Sequence, residues 1–187
     1  MIERNLLTVL RKAAAQYPVV TLTGPRQSGK TTLCRSAFPD KPYVSLEPLD
    51  VREYATLDPR GFLAEHRDGA VIDEVQHVSG LLSYLQAEVD ERAEPGRFVL
   101  TGSQNFALLH RVAESLAGRT AVLHLLPPSL DELRRFDSPP GTLVETLWMG
   151  AYPRIHDRHL PADRWLADYV TTYVQRDVRS VLGVTDL

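Results

Sequence analysis

The sequence predicts an α/β fold, a parallel sheet with helices on both faces, and three observations carry that prediction. Short β-prone runs alternate with stretches of helical periodicity along residues 1–126, the pattern of a parallel sheet whose crossovers are helices. The first run, Val19 to Thr23, leads straight into Gly24-Pro25-Arg26-Gln27-Ser28-Gly29-Lys30-Thr31-Thr32. That is a glycine-rich loop of the form G-x-x-x-x-G-K-[ST], set after a strand and before a helix. The 187 residues, 43% hydrophobic and 24% charged, suit one such domain and little more.

The elements follow in order. Ile2, Leu6, Leu10, Ala13 and Tyr17 recur at helical spacing, an amphipathic helix that Pro18 ends. The glycine-rich loop and its helix, over about residues 29–37, close at Phe38-Pro39. Tyr43 to Leu46 is a short second strand. Residues 50–67 are polar and mixed, with Asp58-Pro59-Arg60-Gly61 as a turn or helix start and Phe62-Leu63 as a small apolar contact. Gly69 to Val75 is a third strand, and Leu81, Leu82, Leu85 and Val89 mark the helix after it. Arg97 to Thr101 is the fourth strand, Phe106, Leu109, Val112 and Leu116 mark another helix, and Thr120 to Leu125 is the fifth strand.

The α/β unit therefore covers residues 1–126, and a helical linker covers 127–150. Ser129 with Glu132 three residues on predicts a capping box. Ser138-Pro139-Pro140-Gly141 reads as a break, and residues 142–149 as a short apolar helix. Gly150-Ala151-Tyr152-Pro153 turns the chain, and His156-Asp157-Arg158-His159 reads as a polar loop rather than a metal site. From Trp165 through Leu166, Tyr169, Val170, Tyr173, Val174, Val178, Val181 and Leu182 an apolar and aromatic stripe runs at helical spacing. It predicts that residues 151–187 begin a second domain that is truncated here, or form a partner surface.

Charge and composition exclude several classes. Net charge is −3, so there is no basic footprint across the chain of the kind that nucleic-acid binding leaves. The single cysteine, Cys34, excludes an internal disulfide and a thiolate metal cluster. It reads as a small buried residue on the helix after the loop. Met-Ile-Glu-Arg-Asn is no signal peptide, and no apolar run is long enough to span a membrane. A cytoplasmic protein is the expectation.

The loop carries the chemistry. Its glycines let successive backbone N–H groups converge as an anion nest, and the nest opens onto a helix N-terminus that favours phosphate. Of 21 Lys plus Arg, only Lys12, Lys30 and Lys41 are lysines, so a lysine at this place is pointed. Lys30 is placed to reach terminal phosphates, the Thr31 hydroxyl to bind Mg²⁺, and Thr32 to touch the α-phosphate. Asp73 and Glu74 follow Ala70-Val71-Ile72 at the end of the third strand, where open α/β sheets place their ligands. Asp73 suits Mg²⁺, and Glu74 suits orienting an attacking water. The fourth strand ends Leu100-Thr101-Gly102-Ser103-Gln104-Asn105. Ser103 or Gln104 suits a γ-phosphate sensor if that strand lies between the first and third. Ser103 or Asn105 equally suits a helix cap. Arg119, after Ser115-Leu116-Ala117-Gly118, is a candidate for stabilising transition-state charge, in the same chain or across a subunit contact. Otherwise it is a helix-end arginine. Arg26, inside the loop, suits contact with nucleotide or acidic residues.

Together these motifs resemble prokaryotic AAA-type P-loop ATPases of uncharacterised role. The resemblance rests on Gly24 to Thr32, Val71 to Glu74 followed by Gln76, Leu100 to Gln104, and Ser115 to Arg119. In that family the ATPase domain precedes a domain of unknown function. Gly150 to Pro153, Tyr173 and Arg176-Asp177-Val178-Arg179 are similar to the opening of that second domain. The resemblance implies a P-loop NTPase three-layer sandwich with a five-stranded sheet of order 5-1-4-3-2. It also implies ATP as the nucleotide, Glu74 as catalytic base, a sensor at the end of the fourth strand, and an arginine finger at Arg119 acting through self-association.

Three functions stand open at this point: an ATPase whose hydrolysis drives a conformational cycle, a nucleotide-loaded switch or scaffold with little turnover, and a small-molecule kinase. Glu74 beside Asp73 favours the first over the third. No [NT]-K-x-D guanine motif occurs. The partner beyond nucleotide, protein or nucleic acid, is not specified by these residues.

Overall fold

A computed structural model describes residues 2–103, 111–112 and 114–173. Its contacts divide the chain into two units, one of residues 4–25 and 29–126, the other of residues 1–3, 26–28 and 127–187.

In the larger unit, strands β1 (Val19–Gly24), β2 (Tyr43–Ser45), β3 (Ala70–Asp73), β4 (Phe98–Ser103) and β5 (Thr120–His124) form one sheet in the order β2-β3-β4-β1-β5. All neighbouring pairs are parallel. Counted from the other edge this is 5-1-4-3-2, the order that the resemblance implies. Among the described residues, helices α1 (Leu6–Ala14), α2 (Lys30–Ala37), α3 (Leu49–Leu57), α4 (Pro59–Glu65) and α5 (Leu81–Glu91) pack on the sheet.

Strand side chains alternate between two cores. On one face Val20, Leu22, Val71 and Val99 pack with Leu10, Ala13 and Ala14 of α1 and Leu33, Cys34 and Ala37 of α2. On the other, Val19, Ala70, Ile72, Phe98 and Leu100 pack with Ala55 of α3, Phe62 and Leu63 of α4, and Leu81, Leu82, Leu85 and Val89 of α5. Burial on both faces is why β3 and β4 read as unbroken apolar runs instead of alternating ones. Each fully buried Leu or Phe contributes about 1.5–3 kcal/mol relative to exposure.

Residues 50–67 are a correction to the sequence reading. They hold most of α3 and all of α4, not mixed polar chain. The Asp58 carboxylate accepts from the Gly61 N–H at 2.9 Å, and Pro59 stands at the first helical position, a start signal with an N-cap and an N1 proline. Gly69 sets the entry to β3: its φ is +99°, and a Cβ there would stand 2.0 Å from the Arg97 carbonyl oxygen. Of the helix expected around Phe106 and Leu109, residues 104–110 and 113 lie outside the described residues.

In the smaller unit the predicted capping box is present. The Ser129 hydroxyl accepts from the Glu132 N–H, and the Glu132 carboxylate accepts from the Ser129 N–H at 2.9 Å. A second box, Thr142 with Glu145, opens the helix Leu143–Met149, whose Leu143, Val144, Leu147 and Trp148 are exposed. The stretch expected as a polar loop is instead the helix Pro153–Arg158. There His156 is 3% exposed, packs on Phe136, and donates from Nε2 to the Gly150 carbonyl at 2.9 Å. The aromatic stripe is a stack of Tyr152, Trp165, Tyr169 and Tyr173 on and beside the helix Ala162–Tyr169. Its continuation from Val174 lies outside the described residues. Among the described residues no helix is long and apolar enough to cross a membrane.

Candidate active site

The site is built where β1 stops. Gly24 closes that strand beside the chain leaving β5. The Leu125 N–H donates to the Thr23 carbonyl at 2.8 Å, and a Cβ on Gly24 would stand 2.2 Å from the Leu125 carbonyl oxygen. Only glycine fits that approach. The loop then turns through positive φ at Gln27 (+61°) and Gly29 (+97°), and α2 begins at Lys30 without a side-chain cap on its first amides. Helix amides left uncapped are anion donors. Arg26, Gln27 and Ser28 group by contacts with the smaller unit. Within it the Tyr169 hydroxyl donates to the Arg26 carbonyl at 3.2 Å, and the Arg26 guanidinium lies 5.9 Å from the Tyr173 ring centre. Thr32 is exposed.

Lys30 is buried and donates to the Gly24 and Pro25 carbonyls, each at 3.0 Å. Its ammonium is thus held over the loop it would serve. One residue on, the Thr31 hydroxyl donates to Asp73 Oδ2 at 2.8 Å. Asp73 ends β3 and is 4% exposed. A carboxylate this buried requires donors, and it has three: Thr31, the Tyr43 hydroxyl at 2.6 Å, and the Thr101 hydroxyl on Oδ1. Burial, then the bond to Asp73, raises the Tyr43 phenol above its ordinary range, so Tyr43 stays a donor.

Glu74 follows in a left-handed conformation (φ +58°, ψ +43°). Its N–H donates to Thr101 Oγ1 at 3.3 Å, and its carboxylate accepts from Gln76 Nε2. Thr101 therefore joins the two acidic residues through one buried hydroxyl. β4 does lie between β1 and β3, and Ser103 stands in register with Gly24, 7% exposed, at the root of the loop. Gln104 and Asn105 lie outside the described residues. Cys34, one turn beyond Lys30, is fully buried. Desolvation, helped by the Asp73 charge, pushes its thiol up to about 12.

The structure thus brings together Gly24, Gly29, Lys30, Thr31, Asp73, Glu74 and Ser103. It does not bring Arg119 to them. The Arg119 carbonyl accepts from the N–H of Val19, the first residue of β1, and the loop leaves the other end of that strand, roughly 16 Å away at the strand rise. The Arg119 guanidinium is engaged by Asp90, at 2.9 Å for Nη2, and by the Ala117 carbonyl. This placement argues against a same-chain role for Arg119.

Thr101, Tyr43 and Gln76 were not singled out as site residues by sequence reasoning. Thr101 had a signal, since it lies two residues before Ser103 and so on the same strand face. Tyr43 had none, because its contact with Asp73 is set by the β2–β3 pairing.

Known proteins share the sequence and the fold. Uncharacterized proteins of Mycobacterium bovis and Mycobacterium tuberculosis are each 33% identical over 187 residues, covering 97% of this chain and 40% of their own length. The chain thus spans less than half the length of the curated relatives it matches. Among solved structures, the Walker-type ATPase PABY2304 of Pyrococcus abyssi shares the fold at a TM-score of 0.62 and 18% identity, with 96% of this chain and 75% of that one covered. AMPPCP-bound DnaA of Aquifex aeolicus does so at 0.50 and 13%, with 95% and 63% covered. The AAA domain family matches residues 16–134, well over half of the sequence, and the chain belongs to the AAA-type P-loop ATPase family.

Proposed function

We propose that the chain binds ATP with Mg²⁺ and hydrolyses it to drive a conformational cycle. The observation that carries this reading is the 2.8 Å bond from Thr31 to Asp73. It joins the residue after the loop lysine to the acid that ends β3. Two hard oxygen donors so placed fit Mg²⁺, which takes one or two protein oxygens and completes its shell with phosphate and water. An ion held there by Thr31 and Asp73 would supply charge neutralisation for the phosphates. The residues Gly24 to Thr32 would hold the phosphates through backbone amides, with Lys30 exchanging two neutral carbonyls for anionic oxygens, a stronger class of hydrogen bond.

Glu74 would orient the attacking water and accept its proton at the carboxylate. Phosphoryl transfer asks chiefly for such positioning and charge. Thr101 anchors the Glu74 backbone while Gln76 holds its carboxylate. Ser103 would contact the γ-phosphate. That a chain of this fold is solved AMPPCP-bound supports the nucleotide reading. The Gln76 contact also favours a second reading, a nucleotide-loaded switch with little turnover, because it occupies the carboxylate that water would need. The role of Arg119 would then be confined to a contact between copies.

Lys30→Ala is the test of the binding claim. Titration calorimetry with ATP analogue and Mg²⁺ is expected to show affinity lost. Affinity retained in that variant would place the nucleotide elsewhere.

A further inference from the structure

Arg4 precedes α1 and is 9% exposed, although nothing in the glycine-rich loop motif calls for it. Its backbone carbonyl accepts from the Leu7 N–H at 3.0 Å as α1 begins. Its Nη2 donates to the Leu126 carbonyl at 2.7 Å, in the chain that leaves β5 alongside Gly24. Its Nη1 lies 3.6 Å from the point a Cβ on Gly29 would occupy. Arginine side chains are seldom buried, because removing a charge from water is costly. Here the fold buries one at the residue that caps α2, the helix whose uncapped amides face an anion site.

We propose that Arg4 is a second cationic contact for bound nucleotide, supplied from ahead of the first helix, and that it acts on the phosphate held at Gly29 and Lys30. The inference rests on the nucleotide reading above. Its position fixes its chemistry. A guanidinium beside Gly29 serves a phosphate common to nucleoside di- and triphosphates, not the one transferred. Interactions made equally in ground and transition states alter KM and leave kcat unchanged. Arg4 is therefore a binding residue, distinct from Glu74. Lysine at position 4 keeps the charge without the two-pronged reach.

The test measures ADP and AMPPCP affinity of the 187-residue chain with Mg²⁺, alongside Arg4→Gln and Arg4→Lys. For Arg4→Gln both affinities are expected to fall by the same factor, roughly ten- to hundred-fold for a charge-assisted contact, with the KM for phosphate release raised and kcat within twofold. Arg4→Lys is expected to recover part of the loss. A purely structural Arg4, tying α1 to Leu126, gives the opposite pattern: a lower melting temperature without nucleotide and unchanged affinity. That result overturns the proposal. Should Arg4→Gln not fold, nitrogen-15 spectra of the wild type decide. The Arg4 guanidinium resonance is expected to shift in step with ADP saturation, and an unmoved resonance overturns the proposal. Wild-type chain that binds neither nucleotide overturns the nucleotide reading itself, and this inference with it.

Discussion

Thr101 offers the sharpest perturbation of the acidic pair. Its hydroxyl, fully buried, donates to Asp73 and accepts from the Glu74 N–H at 3.3 Å. Thr101→Val keeps the shape and removes the oxygen. The Glu74 N–H then has no acceptor at that place, and Asp73 keeps only the hydroxyls of Thr31 and Tyr43. Orphaning a buried polar group costs about 1–3 kcal/mol, and bonds to charged groups sit at the upper end. The 3.3 Å bond is long, so most of the loss falls on the carboxylate, for a total of about 2–3 kcal/mol. In a chain of this size each kcal/mol moves the melting temperature by about 2–4 °C, so the expected drop is roughly 4–12 °C. Phosphate release is expected to fall at least tenfold, because Glu74 sits in a left-handed conformation anchored by that bond and small misplacements of catalytic groups are costly. Thr101→Ser restores the oxygen and most of both losses. Thermal unfolding and phosphate release on the three proteins provide the assay. A Thr101→Val variant with stability and turnover unchanged would refute the reasoning.

Other outcomes follow from the same geometry. The buried Cys34 thiol, raised from 9.0 to about 12, makes the folded state hold a proton that the unfolded chain loses. The stabilisation is complete below about pH 9 and declines as pH rises toward 12, so Cys34→Ala is expected to flatten the alkaline limb of urea unfolding. The same thiol is expected to resist alkylation at pH 8 until the chain unfolds. Arg119→Ala removes a surface pair with Asp90 at the far end of β1. Turnover at dilutions where no self-association occurs is expected to change less than twofold. A large loss there would restore a same-chain role to Arg119.

The sheet was legible because its signals are local. Val19 to Thr23 followed by Gly24 to Thr32 names a strand, a loop and a helix by residue type and spacing alone. The strand order is not local and came only with the family resemblance. Arg119 shows a consequence of topology that residue type hides. In an all-parallel sheet, a residue that enters a strand lies at the edge opposite the loops that leave strands. Its neighbours in sequence said arginine after a helix, and only the direction of β5 placed it away from the phosphates. The helix Pro153–Arg158 was masked for another reason. Six residues are too few to display a period, and its polar sequence gave no hint that Ile155 and His156 are the buried ones. Tyr43 and Arg4 join the site by tertiary approach, through the pairing of β2 with β3 and through the carbonyl of Leu126. Neither is near the loop in sequence terms that reveal a contact.

In the proposed function the Thr31–Asp73 pair and Glu74 form one hydrolytic centre. Glu74→Gln tests it most directly, because the amide keeps the shape and takes away the base. With ATP and Mg²⁺, phosphate release by the wild-type chain and by this variant is measured beside the affinity of each for the unhydrolysed nucleotide. Affinity is expected within about threefold of wild type and phosphate release down by at least a hundredfold, the loss typical when a general base is removed. Wild-type phosphate release from Glu74→Gln would contradict it.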